Sequence, residues 1–167
     1  IEGFISSGVL GNRSRKGPSV FAALAWVDWI SQSPILGEEG RMRSRDEQFD
    51  ALTKLREYLG QKRQTGSLAD GLAAYSLAYI SIENNNNQLA LEQLAEAKDG
   101  VLGTLSKTDD MTQSINALQL LAEYRMALDQ GDPAASERLP ELRRFAAEFK
   151  DFDNAHSVAN LIQVFLK

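Results

Sequence analysis

His156 is the only histidine in the chain, and there is no cysteine. A zinc site built on imidazole or thiolate, or a nucleophile paired with histidine, therefore has few partners to draw on. His156 falls early in the last helical stretch, between Ala155 and Ser157, where a structural histidine is the natural reading. Glu38 and Glu39 stand side by side in a long loop, close in sequence to Arg41, Arg43 and Arg45. Acids next to arginines can hold a metal or an anion, but adjacent loop carboxylates without burial make a poor general acid–base pair. A second basic cluster, Arg13, Arg15 and Lys16, lies near the start. Arginine forks match the geometry of phosphate and carboxylate groups, so these eight residues are the candidate interaction residues. No phosphate-binding loop, GxGxxG, GxSxG or EF-hand spacing occurs, and Gly8, Gly11 and Gly17 lack the strand that a phosphate-binding turn follows. The expectation is no catalytic residue, no cofactor and no metal.

Three further features invite a bland reading. Asp28 interrupts the apolar run Val20–Ile30, and it marks the narrow face of that helix that reaches water unless an arginine pairs with it in the interior. Trp26 and Trp29 stand three apart on the same helix, where core packing is the expectation although tryptophan is enriched at interfaces. Tyr75 and Tyr79 read the same way.

These residues must be positioned by helices. Residues 1–17 mix Gly, Ser and basic residues without periodicity and read as a flexible lead-in. A first helix starts at Pro18, and its apolar residues cover almost the whole circumference, which predicts a central, buried helix. It stops before Pro34, and a loop of about a dozen residues follows. Ser44 and Glu47 have capping-box spacing and open a second helix, striped with Phe49, Leu52, Leu55 and Leu59 and closed at Gly60. Ser67 opens a third helix that the run Asn84–Asn87 ends, since asparagine tolerates the left-handed turn a helix-to-helix reversal needs. A fourth helix runs from about Asn87 until Gly100 and Gly103 break it. A fifth follows Asp109 and Asp110, with Ile115, Leu118, Leu121, Ala122 and Leu128 inward. Gly131-Asp132-Pro133 is a stop, a cap and an N1 proline, and Pro140 kinks or splits the sixth helix. A seventh, with Val158, Leu161, Ile162, Phe165 and Leu166, closes the core. Strand-like alternation is absent, so the fold class is all-α with about seven helices forming a single domain over residues 18–167.

A chain of 167 residues, 43% hydrophobic and 25% charged, can bury a core without disulfides or metal. No apolar run reaches the ~18 residues a membrane span needs, and no signal peptide is visible. The chain begins at Ile1, which reads as a processed or excised piece, so the compartment stays open between cytoplasm and export. Residues 1–65 carry ten Lys/Arg against eight Asp/Glu, a balance of +2, whereas residues 66–167 carry eight against fifteen, a balance of −7. The net charge of −5 opposes general nucleic-acid binding, while the gradient can orient a partner.

The helices pair as hairpins whose starts lie 43 to 49 residues apart. In the second pair, Leu77-Ala78 is followed by Ala90, thirteen positions after Leu77, and then by Leu94 and Ala97. At these small and apolar positions the segment 67–101 resembles a tetratricopeptide-type helical hairpin. The third pair repeats Leu121-Ala122 and Ala134 but then carries Arg138 and Glu141, and the first pair has Gly37 in place of alanine. The resemblance implies a short α-solenoid, the alternative being an irregular bundle of antiparallel hairpins. The functional expectation is a non-enzymatic protein-interaction module of bacterial style, such as an adaptor, a secretion-system component or an effector domain. It would bind another protein through a groove between hairpins or through the loop 31–45. The alternatives are a nucleic-acid accessory domain using the two basic clusters and a helical fragment of a larger enzyme.

Overall fold

A computed structural model describes residues 20–32, 44–102, 105, 110–151 and 156–166. Seven α-helices occur among them: α1 Val20–Gln32, α2 Arg45–Gln61, α3 Leu68–Glu83, α4 Asn87–Leu102, α5 Asp110–Asp129, α6 Leu139–Glu148 and α7 His156–Phe165. A 3-10 turn, Pro133–Arg138, precedes α6, so Pro140 splits the sixth helical segment at its first turn. The described residues contain no strand. No helix among them is long and apolar enough to cross a membrane.

The helices stack in chain order as a bundle. Each packs on the next from α1 through α4, the α3–α4 pair most extensively; α5 packs on α4, and α6 packs on both α5 and α7. Contacts α1–α3, α3–α5 and α5–α7 tie alternate helices together. Two apolar clusters result, and α3 serves both. Ala69, Ala73, Leu77 and Ile80 meet Ala23, Val27 and Ile30 of α1 and Leu52, Leu55 and Leu59 of α2. Ala74, Ala78 and Ile82 meet Ala90, Leu94, Ala97 and Val101 of α4 and residues from α5, α6 and α7. The segment's small-residue positions Ala78, Ala90 and Ala97 are fully buried there.

Helix ends follow side-chain and backbone chemistry. Ser44 and Glu47 form a reciprocal capping box, with Glu47 N–H to Ser44 Oγ at 3.2 Å and Ser44 N–H to Glu47 Oε2 at 2.7 Å. Ser67 caps α3 through Asp70 N–H, and Asp132 caps the 3-10 turn through Ala134 N–H. Three helices end in the same motif, in which a left-handed residue lets the next N–H reach back five residues: Arg63 (φ 58°), Asn85 (φ 60°) and Gly131 (φ 69°).

Several expectations need correction. The apolar α1 is not central: Ala25, Asp28 and Trp29 are exposed, and α3 occupies the middle. Overall hydrophobicity does not rank burial, because a central helix needs small residues on every side, and α3 supplies alanine and glycine. Trp29 is 37% exposed, while Trp26 lies half-buried against Tyr58, ring centres 6.1 Å apart. Gly60 does not close α2; the helix runs to Gln61 and Arg63 takes the left-handed position. Gly100 does not break α4 but lies inside it, where a Cβ would come within 2.8 Å of Ser67 O and 2.9 Å of Gly71 Cα. Its bareness lets two helix backbones touch. Leu128 is 51% exposed rather than inward. The lead-in 1–17, the start of the first helix and the glycine at 103 lie outside the described residues.

Candidate interaction groove

Of the eight residues singled out from sequence, Arg13, Arg15, Lys16, Glu38, Glu39, Arg41 and Arg43 lie outside the described residues. Arg45 is described, and it is not a loop arginine. It is the first residue of α2, with Nε 2.9 Å from Glu83 Oε2, NH1 donating to Gln48 Oε1 at 2.9 Å, and its guanidinium 5.8 Å from the Tyr79 ring centre. Tyr79 in turn donates to the Ser157 carbonyl at 3.2 Å. Arg45 thus links the start of α2 to α3. His156 is the first residue of α7.

Two other polar clusters prove structural. Asp70, buried on α3, accepts from Arg56 Nε at 2.8 Å and from Gly66 N–H at 2.9 Å, while Arg56 NH1 reaches Glu96 at 2.6 Å. One guanidinium therefore ties α2, α3 and α4 together. These two carboxylates hold the Arg56 charge firmly, raising its pKa against the opposing effect of burial. Arg125 on α5 donates to the Ile82 carbonyl at 2.7 Å and to Asn85 Oδ1, neutralising the exposed carbonyl end of α3. The same guanidinium lies 3.8 Å from the Phe165 ring centre of α7. Burial lowers its pKa and Asp129 opposes this, yet arginine stays charged at any working pH.

Among the described residues a groove lies between α5 and α6. The chain reverses at Gly131 and Asp132, and α6 packs back on α5, so side chains of both helices line a cleft of about 490 Å³. Its apolar lining residues are Ala117 and Leu120 from α5, Leu142 and Phe145 from α6, and Phe149 at the C-cap of α6; Ala117, Leu142 and Phe145 belong to the buried core. Leu142 is fully buried, and Phe145 and Phe149 stack with ring centres 4.5 Å apart. Along α5 the carboxamides Gln113, Asn116 and Gln119 and the carboxylate Glu123 line the cleft; α6 adds Glu141, Arg144 and Glu148. Glu123 and Arg138 stand 3.6 Å apart, as do Glu141 and Arg144, beyond hydrogen-bond distance. The lining thus carries three carboxylates and one guanidinium. Leu142, Phe145 and Phe149 were visible in the sequence as a helix stripe. What went unread was the row Gln113, Asn116, Leu120, Glu123, whose three- and four-residue spacing aligns it on one side of α5.

No family model matches this chain, and neither a curated protein nor a solved structure resembles it significantly.

Proposed function

We propose that this chain is a non-enzymatic helical interaction module whose α5–α6 groove receives a basic, apolar segment of another protein. The observation that carries the reading is the groove's composition: Leu120 and the Phe145–Phe149 stack share its lining with three carboxylates and one guanidinium. Burying one large apolar side chain there contributes ~1.5–3 kcal/mol, whereas each exposed charge pair adds ~0–1 kcal/mol. The apolar anchor supplies most of the affinity, and the carboxylates supply choice of partner and salt dependence. This groove lies within the third helical hairpin, not between hairpins or at the loop 31–45 as expected from sequence.

Selection of displayed random peptides tests this on the full chain and on a Glu141→Lys/Glu148→Lys variant. Both carboxylates are exposed, so the fold tolerates the change. Peptides holding lysine or arginine beside an aromatic or aliphatic residue should bind the first protein and not the second. Peptides that bind both proteins equally would remove the groove from the account.

A further inference from the structure

We propose that the basic group of the segment held by the α5–α6 groove sits at the Glu148 end, which makes Glu148 the residue that sets the preference for a cation. This rests on the reading of the groove as a docking site and adds where along it the charge is recognised. The lining carries three carboxylates, Glu123, Glu141 and Glu148, and they are not equivalent. Glu123 accepts from the Gln119 amide at 3.1 Å through Oε1 and has Arg138 Nε 3.6 Å from Oε2. Glu141 has Arg144 NH2 3.6 Å from Oε1. Each of these two already faces a guanidinium of its own chain. Glu148 does not: among the described residues its side chain forms no ion pair or hydrogen bond. Arg144 stands three residues after Glu141 and four before Glu148, and it turns to Glu141.

The helix adds to the difference. Glu148 is the last residue of α6, where unpaired carbonyls give the C terminus a partial negative charge that favours cations and disfavours acids. A carboxylate there without a partner slightly destabilises its own helix, and a bound cation relieves that repulsion. Glu141, in the first turn, has the favourable sign for its end. Two turns, about 10 Å at the helical rise, separate the two acids, and about 10 Å is also the screening length at 0.1 M salt. A single ligand cation beside Glu148 is therefore attracted mainly by Glu148. Because α6 runs back along α5 with Arg138 beside Glu123, Glu148 falls towards the start of α5, whose lining residues Gln113 and Asn116 are uncharged. Aromatic surface lies at the same end: Phe149 follows Glu148 directly and stacks on Phe145. The recognition element is thus one ammonium or guanidinium next to an apolar side chain.

A short labelled peptide with blocked ends and a single lysine beside phenylalanine and leucine is titrated with the full chain and followed by fluorescence anisotropy. Glu148→Gln should weaken binding roughly 2- to 5-fold, the range of an exposed charge pair, and the difference should shrink as salt is raised. Glu123→Gln removes the same charge from the other end of the groove and should change affinity by less than about 1.5-fold. The urea midpoint of Glu148→Gln should equal or exceed that of the unchanged protein, since a charge of the wrong sign leaves the helix end. An effect of Glu123→Gln as large as that of Glu148→Gln, or a lower midpoint for Glu148→Gln, would overturn the assignment to Glu148 and leave the docking groove standing. No binding of the peptide to the unchanged protein would overturn both.

Discussion

Replacing Gly100 with alanine should destabilise the protein even though alanine is the better helix former. The residue lies within α4, where exchanging glycine for alanine ordinarily gains up to ~1 kcal/mol. Here the added methyl group would fall 2.8 Å from Ser67 O, 2.9 Å from Gly71 Cα and 3.1 Å from Gly71 N. All three are backbone atoms, so no side chain can swing away, and relief requires α3 and α4 to move apart. Forcing extra volume into a closed contact costs ~1–3 kcal/mol, at the upper end where both neighbours are rigid. The net loss should be about 1–2 kcal/mol, or roughly 2–8 °C in midpoint for a chain of this size. Gly60→Ala is the matched control. It is also helical, but its Cβ would meet nothing closer than Thr65 Oγ1 at 3.5 Å, so a gain of about 0.5–1 kcal/mol is expected. Gly71→Ala, whose Cβ would sit 3.1 Å from Ala97 O and Gly100 Cα, should fall between them. Urea unfolding followed by far-ultraviolet circular dichroism measures all three. If Gly100→Ala gained as much as Gly60→Ala, the close α3–α4 crossing would be wrong.

Arg125→Lys should lose about 1–2 kcal/mol in the same assay, because an ammonium cannot both bond the Ile82 carbonyl and lie flat on Phe165. Hydrogen exchange in α7 should quicken with it, whereas a purely electrostatic role would leave the lysine variant unchanged. Asp70→Ala strips Arg56 and Gly66 N–H of a buried acceptor and should cost ~2–3 kcal/mol, the partial exposure of Arg56 and its second partner Glu96 holding the loss below that of a fully buried pair. Arg63→Gly relieves a left-handed residue that has a side chain and should stabilise by ~0.5–1 kcal/mol, read from the urea midpoint. Burial, followed by the neighbouring Tyr79, pushes the Tyr75 hydroxyl above its ordinary 10.0. Since the folded pKa is the raised one, that hydroxyl's contribution is intact below about pH 10 and declines above it; Tyr75→Phe should flatten the alkaline fall in stability.

The helices were legible because their signals are local. Ser44 and Glu47, the asparagine run at 84–87 and Gly131-Asp132-Pro133 act within one turn of the chain, and each marks an end where the structure has one. Burial was less legible because it depends on what arrives from elsewhere. The most apolar helix, α1, packs on only two described helices, whereas the alanine-rich α3 is surrounded. Gly100 looked like a breaker because a glycine's local meaning is flexibility; only the approach of Gly71, 29 positions earlier, reveals it as a contact. Arg45 looked like one of a loop triplet because Glu83, its partner, is 38 positions away. The groove escaped for a related reason. Leu142, Phe145 and Phe149 stand out as a helix stripe whereas Ala117 and Leu120 do not, and a cleft exists only once α6 has been laid along α5, which no single helix records.

The docking reading stands or falls on where a bound peptide sits. Nuclear magnetic resonance of the full chain, isotopically labelled and titrated with a short peptide of basic and apolar residues, gives that location directly. The account requires the largest shifts at Asn116, Leu120, Leu142 and Phe145, fading as salt is added. Shifts concentrated at Arg41 and Arg43, with α5 and α6 silent, would contradict it.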